Sequence, residues 1–175
     1  KPNPEWFSIF SGGKFEFRKS QDVVIRAVAV MMERHRDVRL VASWWNPWKA
    51  SVDTMRQSRL ITMTGPNAAY NWQGDVYATA CGHGIPRSHI KWIEQASHEN
   101  MPTIMQTCDI GVFPNRCEAG TNLVLMEAMS CGMPVIATTT HGHADVTGHL
   151  TPAFALSSKP FTVEASERSQ LASRW

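Results

Sequence analysis

The feature that most constrains the fold of this chain is the repeated alternation of short apolar segments with longer segments of helical periodicity. Apolar runs of about four to eight residues predict strands, and we place them at 6–10, 38–45, 90–93, 109–113 and 134–138. Helices are expected between them, after residue 20 and at 68–81, 102–108 and 121–131. A chain that alternates in this way favours a parallel sheet covered by helices, which is an α/β fold.

The first predicted helix follows a polar, glycine-containing loop at 11–20. Ser20 or Asp22 can cap its amino end, because serine and aspartate oxygens accept hydrogen bonds from the free N–H groups of a first helical turn. The apolar residues that repeat at helical spacing predict its buried face, formed by Val23, Ala27, Val30 and Met31.

The composition fits a single folded domain. The chain has 175 residues, of which 43% are hydrophobic and 18% are charged, and such values are usual in globular domains. A net charge of +2 without a Lys/Arg block disfavours a nucleic-acid partner. We assign residues 1–150 to the domain, and 151–175, which become Ser-rich and charged, to a tail or short helix.

The cellular setting is inferred from cysteines, hydropathy and the first residue. The four cysteines form no C-x-x-C pair, so we expect reduced, mostly buried thiols. No apolar run approaches the roughly 20 residues that a membrane-spanning helix needs, and we expect a cytoplasmic protein. Because the chain opens at Lys1 without Met, we expect it to be a piece of a longer protein.

The segment 108–138 carries the most specific pattern in the chain. It contains Glu118 in a loop after a predicted strand, Gly120 in the following turn, Glu127 inside the next helix, and a Cys-Gly-x-Pro-Val sequence at 131–135. In this order the features resemble the donor-site signature of the family 4 type (group 1) glycosyltransferases. The two glutamates are nine positions apart, one more than in the family's commonest spacing.

Two further segments resemble the same family and occur in the same order. The Gly-Gly-Lys sequence at 12–14 and Lys19 five residues later resemble the family's Gly-Arg-x4-Lys loop, with lysine where arginine is usual. The segment 90–109 is similar to the base-binding loop and the helix after it, with Glu94 in place of the usual loop glycine. Together the matches extend from about residue 7 to about residue 146.

The resemblance implies a Rossmann-like doubly wound parallel sheet, one half of a GT-B architecture, with the ligand at the carboxyl ends of the strands. The donor would be a nucleotide-diphospho-sugar, UDP- or GDP-linked, without a further cofactor. The reaction would be transfer of a hexosyl-type sugar with retained configuration. The acceptor would be held by an amino-terminal domain that this chain lacks and that could contact a membrane peripherally, so the chain alone is expected to be inactive.

Cations and N–H donors are expected at the diphosphate, because negative charge grows on its oxygens as the glycosidic bond breaks. The resemblance places Lys14 and Lys19 there, in a loop that includes Gly13. The start of the next helix adds free N–H groups and the positive end of its dipole. The residues concerned are Gly120, Thr121, Asn122 and Leu123.

Two glutamates would hold the sugars of the donor. Glu127 lies six residues beyond Thr121, roughly 9 Å along a helix axis, and the resemblance assigns it to the ribose hydroxyls. Glu118 would face the donor sugar and would complete the catalytic set with Lys14 and Lys19. The base would lie against Gln95, Ala96 and Ser97.

Simpler interpretations of the same residues stay open. Lys14 and Lys19 could be solvated loop charges, and Glu127 could be paired with a buried Arg or Lys. The two histidines and the aspartate at 141–145 could suggest a metal, but no further ligands cluster with them and we expect no metal site. For the whole protein, the alternatives are a nucleotide-sugar epimerase of the same architecture and a non-catalytic α/β binding module.

Overall fold

The structure is a computed structural model that describes residues 5–64, 72–150 and 154–158. Its strands are β1 Phe7–Lys14, β2 Val38–Trp45, β3 Ile90–Trp92, β4 Ile110–Phe113, β5 Val135–Thr138 and β6 Ala155–Leu156. Its α-helices are α1 Gln21–Met32, α2 Lys49–Asp53, α3 Trp72–Gly82, α4 Met101–Met105, α5 Leu123–Ser130 and α6 Ala144–Thr147. Short 3-10 helices lie at Phe17–Lys19, Thr54–Gln57, Arg87–His89 and His141–His143.

The strands of the described residues form one six-stranded sheet in the order β3-β2-β1-β4-β5-β6, and each pair is parallel. The chain therefore builds outward from β1 to β3, then crosses to the other side of β1 and builds outward to β6. This order confirms the predicted Rossmann-like doubly wound α/β fold. The direction reverses between β1 and β4, so the crevice of this fold lies at the carboxyl ends of those two strands.

Alternation along the strands divides the core between the two faces of the sheet, because successive side chains of a strand point to opposite faces. Ile9 of β1 packs in one cluster with Val24 and Ile25 of α1. Phe10, the next residue of β1, packs in the other cluster with Leu125 of α5. Helices α1 to α3 thus cover one face, and α4 and α5 cover the other.

The face predicted for α1 is wrong. Ala27 and Val30 are exposed, whereas Val24, Ile25 and Val28 are buried against the sheet. Apolar residues surround most of this helix, so periodicity alone could not select the buried face.

The expected N-cap of α1 is also absent. Ser20 stands at the N-cap position with φ 63°, and its side chain makes no capping hydrogen bond. Its hydroxyl oxygen instead accepts hydrogen bonds from Arg116, and the Asp22 carboxylate binds the same arginine. Both side chains therefore bind Arg116, which is 94 or more residues away in the chain, instead of capping the helix.

Several boundaries differ from the predicted ones. β1 continues to Lys14, where it pairs with Trp45, so the first four residues of the predicted loop at 11–20 are strand. α5 begins at Leu123, two residues later than expected. The sheet also continues past residue 150, because β6 pairs with β5; a two-residue edge strand has too few positions to show alternation. The part of the predicted helix at 68–71 and the tail from residue 159 lie outside the described residues.

Two expectations about the chain as a whole have different outcomes. Cys108 is buried, but Cys81 and Cys117 are exposed, so the expectation of mostly buried thiols is wrong, although all four thiols are free. Within the described residues, none of the helices combines the length and the apolar character that crossing a bilayer requires.

Candidate functional site

The candidate site lies where the loop after β1 meets the loop after β4, at the carboxyl ends of the two strands on either side of the switch point. The loops are joined through their backbones, because the N–H group of Arg116 donates to the carbonyl oxygen of Arg18 over 2.8 Å. Lys19 and Glu118 are carried by these two loops, whereas Gly13 and Lys14 are the last residues of β1 and Leu123 is the first residue of α5. The switch point of the fold therefore coincides with the signature in the sequence.

An ion cluster centred on Glu118 joins the two loops. The Lys19 Nζ atom lies 2.6 Å from Glu118 Oε2, and Arg18 Nη1 lies 3.1 Å from Oε1. Asn115 Nδ2 donates a further hydrogen bond to Oε2 over 2.7 Å. Arg18 also pairs with Glu16 at 2.6 Å. The side chains of Lys19 and Glu118 are only 11% and 10% exposed, so this is a largely desolvated pair rather than a surface contact.

Burial acts against charge on both members of that pair. It lowers the pKa of Lys19, and the hydrogen bond and charge of Glu118 offset only part of the effect. Burial alone would raise the pKa of Glu118, but the hydrogen bonds from Lys19 and Asn115 and the charge of Lys19 outweigh it. The pKa of Glu118 therefore lies below its ordinary value, and the group is a carboxylate at neutral pH.

A chain of hydrogen bonds connects the start of α5 to Asn115, the residue whose side chain binds the Glu118 carboxylate. Asn122 caps the helix by accepting from the Leu125 N–H group over 3.4 Å, so its amide nitrogen is the atom that donates to His143 Nε2 over 3.2 Å. His143 Nδ1 then donates to Thr138, and the Thr138 hydroxyl donates to the carbonyl oxygen of Asn115. Burial lowers the pKa of His143, which favours the neutral ring that this pattern requires.

The loop after β5 packs directly against the turn that was matched to the diphosphate. The Gly142 N–H group donates to the carbonyl oxygen of Glu118 over 3.0 Å. A Cβ atom on Gly142 would lie 1.9 Å from the carbonyl oxygen of Gly120, so only glycine fits there. Gly120 itself has open space where a Cβ would stand. Gly142 thus packs against the backbone of the turn at Glu118 and Gly120.

Glu127 lies beside the segment matched to the base. Its Oε1 atom is 3.3 Å from His98 Nδ1, and its side chain is 33% exposed. His98 follows Gln95, Ala96 and Ser97, whose loop comes after β3 and is largely exposed. No buried Arg or Lys holds Glu127 among the described residues, so the salt-bridge alternative for this carboxylate finds no support there.

Lys14 has a different environment from Lys19. Its Nζ atom lies 4.3 Å from the centroid of the Trp48 ring, on the side of β1 that pairs with β2. Gly13 before it has φ 113°, a backbone conformation that favours glycine. The structure therefore brings Lys19 and Glu118 together and holds Lys14 against an exposed tryptophan.

Four residues of the site were not assigned a role from the sequence: Arg18, Asn115, Arg116 and His143. Arg18 could have been suspected, because it precedes Lys19 in the matched loop. The sequence around His143 could suggest a metal ligand, but its ring nitrogens face Asn122 and Thr138. Among the described residues, no three His, Cys, Asp or Glu side chains are grouped as a metal site would need. Asn115 and Arg116 carried no sequence signal, because their partners are remote along the chain.

Two hollows lie at the opposite end of the molecule, at the amino ends of β4 and β5. One is lined mainly by apolar residues that include Met133 and Phe154, and the other contains Cys108 and Asp109. Neither includes a residue assigned to the donor, although both are lined by part of the matched Cys-Gly-x-Pro-Val sequence at 131–135. We place the candidate site at the carboxyl ends because charge and the switch point coincide there.

Solved structures with the same fold include a glycosyl transferase domain and a protein in complex with UDP-glucose. The C-terminal domain of a glycosyl transferase group 1 family protein (LpcC) from Francisella tularensis matches 78% of this chain and 60% of its own, with a TM-score of 0.55 and 20% identity. HepE from Anabaena in complex with UDP-glucose matches 97% of this chain and 38% of its own, with a TM-score of 0.61 and 16% identity. These likenesses show the fold that the GT-B glycosyltransferases share.

Sequence comparison finds the same group of proteins. The D-inositol 3-phosphate glycosyltransferase of Jonesia denitrificans is 24% identical over 146 residues, which are 83% of this chain and 30% of that protein. This chain thus spans less than a third of that relative. The family model for glycosyl transferases group 1 matches residues 61–168, more than half of the chain. The chain therefore belongs to the glycosyl transferases group 1 family.

Proposed function

We propose that this chain binds a nucleotide-diphospho-sugar at the carboxyl ends of β1 and β4 and that the whole protein transfers the sugar to an acceptor. The observation that carries the proposal is the Lys19–Glu118 pair, at 2.6 Å, formed between the two loops that border the switch point. Family membership supports the same reaction class. A UDP-sugar is the first candidate donor because HepE, which shares the fold, was solved with UDP-glucose.

The diphosphate would take the place of Glu118 as the partner of Lys19. In the free protein Lys19 is held by a carboxylate in a largely desolvated position. A diphosphate offers more negative charge and more acceptor oxygens than one carboxylate, so it can compete for the ammonium group. Glu118 would then be released towards the hydroxyls of the donor sugar. The start of α5, where Asn122 takes up the Leu125 N–H group, would supply the positive end of the helix dipole.

The nucleoside would lie between Glu127 and the loop after β3. Glu127 is exposed enough for a hydroxyl to reach it, and its partner His98 is 86% exposed and easily displaced. A carboxylate that accepts from two ribose hydroxyls makes charge-assisted hydrogen bonds. The base would contact Gln95, Ala96 and Ser97, which are next to His98.

The remaining features of the activity are proposals about the whole protein. They comprise a hexosyl-type sugar, retained configuration, an acceptor domain in another part of the protein and a cytoplasmic location. The relatives that carry this domain are much longer than the chain, which covers 30% of the Jonesia enzyme and 38% of HepE.

Nucleotide titration tests the proposed site. We expect UDP, with GDP and ADP as comparison ligands, to raise the melting temperature of the chain at millimolar concentration, because a ligand that binds the folded state stabilises it. Lys19→Ala and Glu127→Ala should each weaken binding of the preferred nucleotide by about tenfold, since each removes a charged hydrogen-bond partner. Gly120→Ala should weaken binding without loss of stability, because a Cβ meets nothing within 4 Å in the free protein.

Matched controls keep that test specific. Lys49→Ala removes a lysine whose side chain is 59% exposed and paired with Asp53, and Glu33→Ala removes an exposed glutamate at the far end of α1. Neither should change the nucleotide dissociation constant. If no nucleotide binds, a non-catalytic module is favoured. Product analysis with the full-length protein separates transfer from epimerisation.

A further inference from the structure

We propose that Arg116 is a positioning residue that ties the loop after β4 to the loop after β1 and thereby sets Lys19 opposite Glu118. The inference rests on the proposed function, because it assigns Arg116 an effect on donor binding that Arg116 exerts through Lys19. The residue lies two positions before Glu118 and none of its contacts requires a ligand. It can therefore affect the site through the position of Lys19, without contact with the ligand.

The first part of the tie is a buried ion pair. Arg116 Nη1 and Nη2 each lie 2.7 Å from an oxygen of the Asp22 carboxylate. The Asp22 side chain is fully buried, and its Oδ2 atom also accepts from the Ser58 hydroxyl over 2.6 Å. A bidentate guanidinium–carboxylate pair fixes both distance and orientation. The loop after β4 is thereby anchored to the first turn of α1.

The second part of the tie reaches the turn that carries Lys19. Arg116 Nη1 donates to the Phe17 carbonyl oxygen over 2.9 Å and to the Ser20 hydroxyl over 3.2 Å. The guanidinium also lies over the Phe17 ring, 4.0 Å from its centroid. The Arg116 N–H group donates to the same Ser20 hydroxyl over 3.1 Å. Arg116 thus contacts residues on both sides of Lys19 in the chain.

The conformation of Ser20 explains why such a tie is needed. Its φ of 63° is a left-handed conformation that costs a non-glycine residue free energy. The turn that aims Lys19 at Glu118 is therefore not the one the local sequence prefers. Two hydrogen bonds from Arg116 to the Ser20 hydroxyl compensate for that preference.

Lysine cannot replace Arg116 in this arrangement. The guanidinium makes five contacts at once: two with the Asp22 carboxylate, one with the Ser20 hydroxyl, and one each with the carbonyl oxygen and the ring of Phe17. An ammonium group has no planar fork and cannot bind both carboxylate oxygens in the same way while it lies over a ring. Arg116→Lys consequently keeps the charge and removes the geometry.

The experiment combines amide hydrogen exchange of the free chain with UDP titration of Arg116→Lys. Exchange should become faster at residues 17–20 and 116–118 and stay unchanged in β1 and β2. The dissociation constant for UDP should rise about tenfold, because a misplaced ligating group loses its contribution. In a Lys19→Ala background the same substitution should have little further effect on UDP binding, since the two act through one contact.

Two more variants separate positioning from stability. Ser58→Ala removes a different hydrogen bond to the same Asp22 carboxylate, so it should lower stability and leave UDP binding unchanged. Ser20→Gly removes the hydroxyl contacts and relieves the left-handed backbone. It should therefore stay folded even if Arg116→Lys does not. Its UDP binding should weaken by about threefold, which is less than for Arg116→Lys, because the ion pair between Arg116 and Asp22 remains.

The outcomes distinguish failure of the positioning role of Arg116 from failure of the proposed nucleotide binding. Unchanged exchange at both loops, or additive effects of Arg116→Lys and Lys19→Ala on UDP binding, would overturn the positioning role. If the wild-type chain binds none of UDP, GDP and ADP, the proposed function fails and the effect on donor binding fails with it. Whether Arg116 ties the loops is then decided by exchange alone, because that measurement needs no ligand.

Discussion

At the scale of single residues, Glu118 decides what charge a ligand meets at this site. Its carboxylate oxygens lie 2.6, 3.1 and 2.7 Å from side-chain nitrogens of Lys19, Arg18 and Asn115. The carboxylate therefore neutralises the positive charge that the proposed diphosphate would bind. A buried ion pair of this kind contributes little net stability, because desolvation opposes the attraction. Under the proposed function, its more direct consequence is that Glu118 and a phosphate compete for Lys19.

We therefore predict that Glu118→Gln binds UDP about three to ten times more tightly than the wild-type chain, because a negative charge beside the phosphates is removed. Under the proposed function, the same substitution should lower the rate of sugar transfer by the whole protein, because Glu118 would no longer hold the donor sugar as a carboxylate. Calorimetric titration with UDP at pH 7.5 measures the first effect. Asp53→Asn, which neutralises the exposed partner of Lys49, is the control. Equal or weaker binding by Glu118→Gln would contradict the competition.

At the scale of elements, the start of α5 is held by a histidine in the loop after β5. The amide of Asn122 can cap the helix only while His143 Nε2 accepts from it. A protonated ring would have a donor at that nitrogen and would force the amide to turn its oxygen away from Leu125. The titratable groups that act on His143 are Glu118, Lys19 and His141.

This arrangement predicts a loss of stability in mild acid. The pKa of His143 is lowered in the folded chain by burial, so the unfolded chain binds the proton more readily. The stability that the neutral ring contributes is present above the unfolded pKa of about 6.5 and is lost as pH falls through the lower folded pKa. Urea unfolding between pH 7.5 and 5 measures it. His143→Gln should flatten this dependence, whereas His98→Gln, which alters an exposed ring, should not.

At the scale of the whole molecule, the parallel sheet brings three loops to one edge. Those after β1, β4 and β5 are far apart in the chain, yet Gly142 contacts the turn at Gly120 and Arg18 contacts Glu118. Each loop is supported by a different strand of the same sheet. We therefore expect a change in one loop to affect the others through these contacts.

Gly142→Ala tests this transmission. The added Cβ would meet the Gly120 carbonyl oxygen at 1.9 Å, so one of the two loops must move, at a cost of about 1–3 kcal/mol of unfolding free energy. UDP binding should weaken in parallel. Gly148→Ala places its Cβ 3.5 Å from the nearest backbone oxygen and should change stability by less than about 0.5 kcal/mol. Urea unfolding and UDP titration of both variants measure these effects, and unaltered UDP binding by a destabilised Gly142→Ala would refute the coupling.

The sequence by itself determined the class of fold and the position of the signature. Apolar periodicity is a local property, so β2, β4 and β5 were predicted within a residue or two. A parallel sheet with helical connections then followed from the alternation of elements. Glu118 and Glu127 were assigned from the family resemblance of one short segment, and their roles at the donor stay predictions.

Only the tertiary structure decided which face of α1 is buried, that Lys14 lies over Trp48 and that Lys19 pairs with Glu118. It also turned Ser20 and Asp22 from expected capping residues into partners of Arg116. The face of α1 is selected by packing against the sheet, because apolar residues surround most of that helix. For the polar and charged side chains the physical reason is a common one. A polar or charged side chain takes the partner that desolvates and satisfies it best, and in this fold those partners come from loops about 30 to 100 residues away.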